Sequence, residues 1–176
     1  MPREFIITMT AENRVGILSA VTRAMSELGA DLREASQTVV RGYFTMIFSA
    51  EFPDNIDPGV ITDHLQDTCR PFGIDVNLKG PCDDSAELRR PAPSRLYLLR
   101  IGGENQPGIL RQLSTLISMH RIDIAGMHAV RTKDGAGFEM VMKIAVPDGL
   151  DTDQLLNELN KTGQTFSFTA DVSDYS

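Results

Sequence analysis

Two short stretches carry the residue types that could hold a small polar ligand. They are Asn13-Arg14-Val15-Gly16-Ile17-Leu18 and Asn105-Gln106-Pro107-Gly108-Ile109-Leu110. Each stands between a run with strand alternation and a run with helical spacing. The start of a helix offers unsatisfied N–H groups and the positive end of its dipole, which suit a carboxylate. The side-chain carbonyl of Asn13 or Asn105 can accept from an ammonium group. Gly16 and Gly108 lack a Cβ, so a ligand can approach the backbone closely. Pro107 stiffens its turn. The same order of residues also makes an ordinary helix start that caps itself, and the residues alone leave both readings open.

Other side chains of chemical interest form no constellation. His64, His120 and His128 are scattered, and no two occupy matching places in the repeat described below. His64 and His120 fall on or near helix faces, where packing or surface roles are expected. Asp83-Asp84 lie in a polar connecting stretch. Cys69 and Cys82 have no metal-ligand spacing and are expected to be reduced and structural. No nucleophile and base stand at a defensible spacing, so a non-catalytic protein without cofactor or metal is expected.

The elements that must position the two turns repeat along the chain. Asn13 and Asn105 are 92 residues apart, and at that separation Phe5-Ile6-Ile7 falls on Tyr97-Leu98-Leu99 and Asp31 on Asp123. Phe44 and Phe138 are 94 apart, as are Met46 and Met140, so two extra residues lie within Thr132–Gly137, where a hairpin loop absorbs them. Internal duplication of this kind decides the architecture before any local reading does.

In the first half, alternation predicts strands over 4–10, 31–40, 43–51 and from Ile74 onward. Residues 31–40 read as half-buried, with Leu32, Ser36, Thr38 and Val40 marking the surface. Helical spacing predicts a helix over 15–28, stopped by Gly29, and one begun by Asp57-Pro58 and ended before Pro71. In the second half the strands are expected near 96–102, 122–132, 137–146 and 165–172. The helices are expected near 107–120 and 151–162, with Asp151 as cap and Gly163 as stop. The order β-α-β-β-α-β is the split-βαβ, or ferredoxin-like, unit. Right-handed crossovers place both helices on one face of each antiparallel sheet. The expected organisation is an α+β chain with a first unit at 1–79, a linker at 80–94 and a second unit at 95–176. Most methionines, Met9, Met25, Met46, Met119, Met127, Met140 and Met142, fall on faces expected to be buried.

The chain of 176 residues carries a net charge of −7 and a pI of about 4.9. An acidic balance disfavours direct nucleic-acid binding and anionic membrane surfaces, because both rest on neutralising phosphates. Arg41 to Phe48 partly resembles the basic-Gly-aromatic strand of RNA-recognition domains, but Phe44 and Thr45 break that pattern. No apolar run approaches the roughly 20 residues that span a bilayer, and the N-terminus lacks the features of a signal peptide. A cytoplasmic location is expected. Units of about 75–80 residues are marginal alone, so packing together or homo-oligomerisation is expected.

The Asn-x-Pro-Gly-Ile-Leu turn, the helix behind it, the strand start Ile122-Asp123-Ile124 and the element order together resemble the ACT domain, a regulatory module that senses amino acids or similar metabolites. The resemblance covers both halves, with Val15 standing where the family usually carries proline. The tandem layout with little else is similar to the glycine cleavage system transcriptional repressor family. That likeness implies a sensor of a small amino acid, glycine in that family, acting by contact with a transcription regulator protein. The ligand-binding residues it implies are Asn13, Arg14, Gly16, Ile17 and Leu18, with Asn105, Gln106, Pro107, Gly108, Ile109 and Leu110 in the second half. The start of the second strand, Asp31-Leu32 and Asp123-Ile124, is implied as well. The alternatives are a stand-alone regulator of a metabolic enzyme and an interaction scaffold with no ligand.

Overall fold

The computed structural model describes residues 3–80 and 94–175, which fall into two units. The expected linker, with Cys82 and Asp83-Asp84, lies almost wholly outside the described residues.

In the first unit the chain forms β1 (Arg3–Glu12), α1 (Ile17–Glu27), β2 (Asp31–Val40), β3 (Tyr43–Phe52), α2 (Pro58–Thr68), a 3-10 turn (Arg70–Phe72) and β4 (Asp75–Lys79). The antiparallel sheet has the order β2-β3-β1-β4. Alternation sends Phe5, Ile7 and Met9 of β1 and Phe44, Met46 and Phe48 of β3 into one core, where Ile17, Val21 and Met25 of α1 and Ile61 and Leu65 of α2 meet them. Asp57 caps α2, its Oδ1 accepting from the Gly59 N–H at 2.8 Å. Pro71 has no N–H to continue the helix and its ring crowds the carbonyl four residues back. The chain therefore tightens into the 3-10 turn. Cys69 is free and fully buried in this core, and burial pushes its thiol pKa up.

The second unit repeats the order as β5 (Ser94–Glu104), α3 (Ile109–Met119), β6 (Asp123–Arg131), β7 (Gly137–Pro147), α4 (Thr152–Phe166) and β8 (Phe168–Asp174), with sheet order β6-β7-β5-β8. Leu99, Ile101, Met140, Met142 and Ile144 line the covered sheet face, against Leu113 and Ile117 of α3 and Leu155 and Leu159 of α4. The β2–β3 hairpin turns on Arg41 and Gly42, both at positive φ, the twist-matched two-residue loop. The corresponding β6–β7 loop is longer, and Thr132 and Asp134 hold it with their side chains. The two extra residues lie there.

Two local expectations are corrected. The strand β2 is exposed along its whole length, as β6 nearly is, because each is an edge strand that the helices of its unit hardly cover, unlike the opposite edges β4 and β8, and alternation alone cannot tell which strand the helices leave bare. Gly163 does not stop α4; the helix runs through it to Phe166 and ends at Ser167, φ 53°, so β8 begins at Phe168. The glycine is needed for closeness, since a Cβ there would stand 2.2 Å from the Phe168 carbonyl oxygen. Met119 and Met127 are exposed, while the other five methionines named above are buried. Among the described residues no helix is long and apolar enough to cross a membrane.

Candidate functional site

Each predicted turn is a strand end, three residues of loop and a left-handed glycine that starts a helix. Gly16 has φ 97° and Gly108 φ 90°, and each is the N-cap of its helix. Only glycine enters that conformation without a steric penalty. A glycine cap brings no side chain, and neither α1 nor α3 receives a side-chain cap or an acidic residue in its first turn. The self-capping reading is thereby removed: Asn13 and Asn105 do not cap, and first-turn N–H groups remain for another partner. The turns are instead anchored from behind. The Asn13 N–H donates to the Gly42 carbonyl at 2.7 Å, and the Asn105 N–H to the Ala136 carbonyl at 2.8 Å. In both units the tip of the neighbouring hairpin holds the asparagine.

The second turn opens on a cleft of about 260 Å³. One wall is the turn and helix start, with Asn105, Gln106, Gly108, Ile109 and Leu110. The other is the hairpin side of the sheet, with Ala129, Val130 and Arg131 of β6 and Phe138 and Met140 of β7. The lining is mostly apolar, its polar residues being Asn105, Gln106 and Arg131. The positive end of α3 and Arg131 both favour an anionic group. Ile109 is buried and anchors α3 in the core, whereas Leu110 is half exposed at the cleft.

The first turn is different. Phe72 lies with its Cζ 3.6 Å from where a Cβ on Gly16 would stand, while the same test at Gly108 meets nothing within 4 Å. Arg14 is drawn aside, paired with Glu12 at 3.0 Å and reaching the Pro71 carbonyl at 3.5 Å. Its counterpart Gln106 makes long contacts, 3.4 Å each, to Glu104 and Ser167. Phe166 is the repeat partner of Phe72, but Thr165 stands in place of Pro71, so α4 stays helical there and Gly108 stays open. Val15 is fully exposed at the turn, and Ile17 is a core residue.

Asp31-Leu32 and Asp123-Ile124 do not join these turns within a unit. Asp123 pairs with Ala145, which pairs with Leu96, near the beginning of β5. Arg131 pairs with Phe138, which pairs with Gly103, near the end of β5. Eight strand steps put the two ends of β6 roughly 25 Å apart. Asp31 is likewise level with Glu4, and its carboxylate pairs with Arg33 at 3.3 Å. Residues that reading the sequence missed are the cleft wall from β6 and β7. Phe138 and Met140 were legible only as core positions, and Arg131 only as a residue near the end of a strand.

Two histidines pair with carboxylates across helices, His64 within α2 with Glu27 at 2.9 Å and His120 at the end of α3 with Glu158 at 2.7 Å. Among the described residues no group of three or more His, Cys, Asp or Glu side chains is placed to hold a metal ion.

The fold defines a tandem βαββαβ protein whose helix-opening turns are left free of side-chain caps. The ACT-domain model matches residues 5–70 and 97–164. The chain therefore belongs to the ACT-domain family, with one copy in each unit. Among curated relatives, the UPF0237 protein of Methanosarcina mazei is 33% identical over 76 residues, which are 43% of this chain and 83% of that one. Among solved structures, that of an unknown protein from Galdieria sulphuraria matches over 100% of both chains with a TM-score of 0.82 at 17% identity. Another, provisionally described as a glycine cleavage system transcriptional repressor, matches over 99% of both chains with a TM-score of 0.69 at 13% identity. At such identities the two structural likenesses speak for the fold.

Proposed function

We propose that this protein is a non-catalytic regulator that binds a small amino acid at the turn of its second unit and passes the binding on through a protein contact. The observation that carries the proposal is the cleft at Asn105–Leu110, where an open left-handed glycine, an uncapped helix start and Arg131 face one apolar pocket. An amino acid presents a carboxylate for the positive side of that cleft and an ammonium for the Asn105 carbonyl. The residues we assign to ligand contact are Asn105, Gln106, Pro107, Gly108, Ile109 and Leu110. The first-unit set, Asn13, Arg14, Gly16, Ile17 and Leu18, is built on the same plan, with Phe72 against Gly16. The strand starts Asp31-Leu32 and Asp123-Ile124 stand at the far ends of their sheets from the turns.

The likeness to the repressor-type structure supports a transcription regulator protein as partner and glycine as the first ligand to test. The fully exposed edge strand β2 supports homo-oligomerisation, because unpaired strand edges recruit other strands. To regulate, the ligand must bind one state of the protein better than another. Calorimetric titration with glycine and then a panel of amino acids tests the reading. Saturable heat that is lost in Gly108→Val, with the unfolding transition retained, is the expected result. Absence of heat with every amino acid would leave a protein-contact scaffold.

A further inference from the structure

We infer that the cleft of the second unit selects an α-amino acid with an apolar side chain over glycine, holds its carboxylate at Arg131, and has no working counterpart at the first-unit turn. The inference rests on the reading that this cleft binds the ligand, and it departs from glycine as the ligand's identity.

Three observations lead to it. The first is the chemistry of the lining. Leu110, Ala129, Phe138 and Met140 make the cleft a predominantly apolar space of about 260 Å³, close to the lower end of the roughly 300–1,000 Å³ usual for small-molecule sites. Glycine has no side chain to cover that surface. An aliphatic side chain does, and the gain from burying one is roughly tenfold in affinity or more.

The second is charge. Arg131 is the cleft's cation, and it shares the cleft with the uncapped start of α3. Pairing Arg131 with Phe138 puts it on the helix side of the sheet, since Phe138 is a core residue on that side. A guanidinium and a helix N-terminus on one small pocket are complementary to a single carboxylate.

The third is the comparison of the two units. Strand pairing sets Val39 against Phe44 as it sets Arg131 against Phe138, so Val39 occupies the place of Arg131 in the first unit. That strand position carries no cation there, the turn's own Arg14 is paired with Glu12, and Phe72 stands against the glycine. The duplicated fold thus keeps the ligand-facing features in one copy.

The test is calorimetric titration of the full chain with L-leucine, glycine and L-leucinamide, repeated on Arg131→Gln and Leu110→Ser. Arg131 and Leu110 are exposed or half exposed, and an unchanged unfolding midpoint checks that each variant folds. Leucine is expected to saturate at one per chain, with an affinity roughly tenfold or more above glycine. Leucinamide, which lacks the carboxylate, should bind more weakly than leucine. Arg131→Gln should bring leucine down to the level of leucinamide, and Leu110→Ser should narrow the gap between leucine and glycine. Glycine binding as tightly as leucine, two sites per chain, or leucine binding unaffected by Arg131→Gln would each overturn the inference and leave the proposed amino-acid sensor standing. No binding of any of the three probes would overturn both.

Discussion

Phe72 stands against Gly16, with its Cζ 3.6 Å from the position of a Cβ on that glycine, and this contact separates two turns that are nearly identical in backbone. It arises because Pro71 stops the helix and the 3-10 turn that follows carries the ring to the glycine. Phe72→Ala is expected to uncover the first turn and to lower the stability of the first unit by about 2 kcal/mol, less than for a fully buried phenylalanine because the ring is only partly buried. Amide exchange at Ile17–Ser19 should quicken while Ile109–Arg111 stays unchanged. Equal exchange in the variant and the parent would show that the ring does not shield the turn.

Gly163 and Ser167 trade the usual roles at the end of α4. Alanine in a helix interior is about 1 kcal/mol better than glycine, so propensity alone predicts that Gly163→Ala stabilises. The added Cβ, however, would lie 2.2 Å from the Phe168 carbonyl oxygen, and overpacking of backbone against backbone costs about 3 kcal/mol. The clash wins, and a clear fall in the urea midpoint is expected. Ser167→Gly should do the opposite and stabilise by about 1 kcal/mol, because a non-glycine residue holds the left-handed position there at φ 53°.

Asp151 caps α4, its Oδ1 accepting from the N–H groups of Asp153 at 2.9 Å and Gln154 at 3.4 Å. Asp151→Ala should cost about 1 kcal/mol, and Asp151→Ser much less. Thermal unfolding of the two variants side by side distinguishes loss of the cap from a general sensitivity of the site.

His120 and Glu158 tie α3 to α4, and the first unit makes the same tie with the roles exchanged. There His64 holds the position that Glu158 holds in the second unit, and its partner is Glu27 of α1. The hydrogen bond from His120, then that from Gln154, hold the Glu158 carboxyl below its ordinary value of 4.5, with Lys161 adding to the effect. A carboxyl whose pKa is depressed by folding contributes stability above its unfolded value and loses it as pH falls through the folded value. Glu158→Gln should therefore be less stable than the parent at neutral pH, and the difference should fade below pH 4.5. A difference that persists at lower pH would mean that ionisation of Glu158 contributes nothing.

The architecture was legible because its signals are local or repeated. Phe5, Ile7 and Met9, then Phe44, Met46 and Phe48, alternate as strands of one buried face must, and the separations of 92 and 94 residues announced a second copy. Caps at Asp57 and Asp151 were legible for the same reason, since a helix start is specified by neighbours in sequence. The exposed edges were not: Leu32 and Val40 have the pattern of half-buried residues, and only the packing of the helices away from that edge exposes them.

The sequence by itself determined two βαββαβ units, the position of each helix-opening turn and the glycine in it, because side-chain periodicity and positive-φ residues act over a few residues. Tertiary structure alone decided which turn is open and what faces it. Phe72 reaches Gly16 from a distant part of the chain, and Arg131 shares a cleft with Gly108 only because strand register sets β6 beside the start of α3. Contacts at such separation depend on how whole elements pack, and no local pattern encodes them.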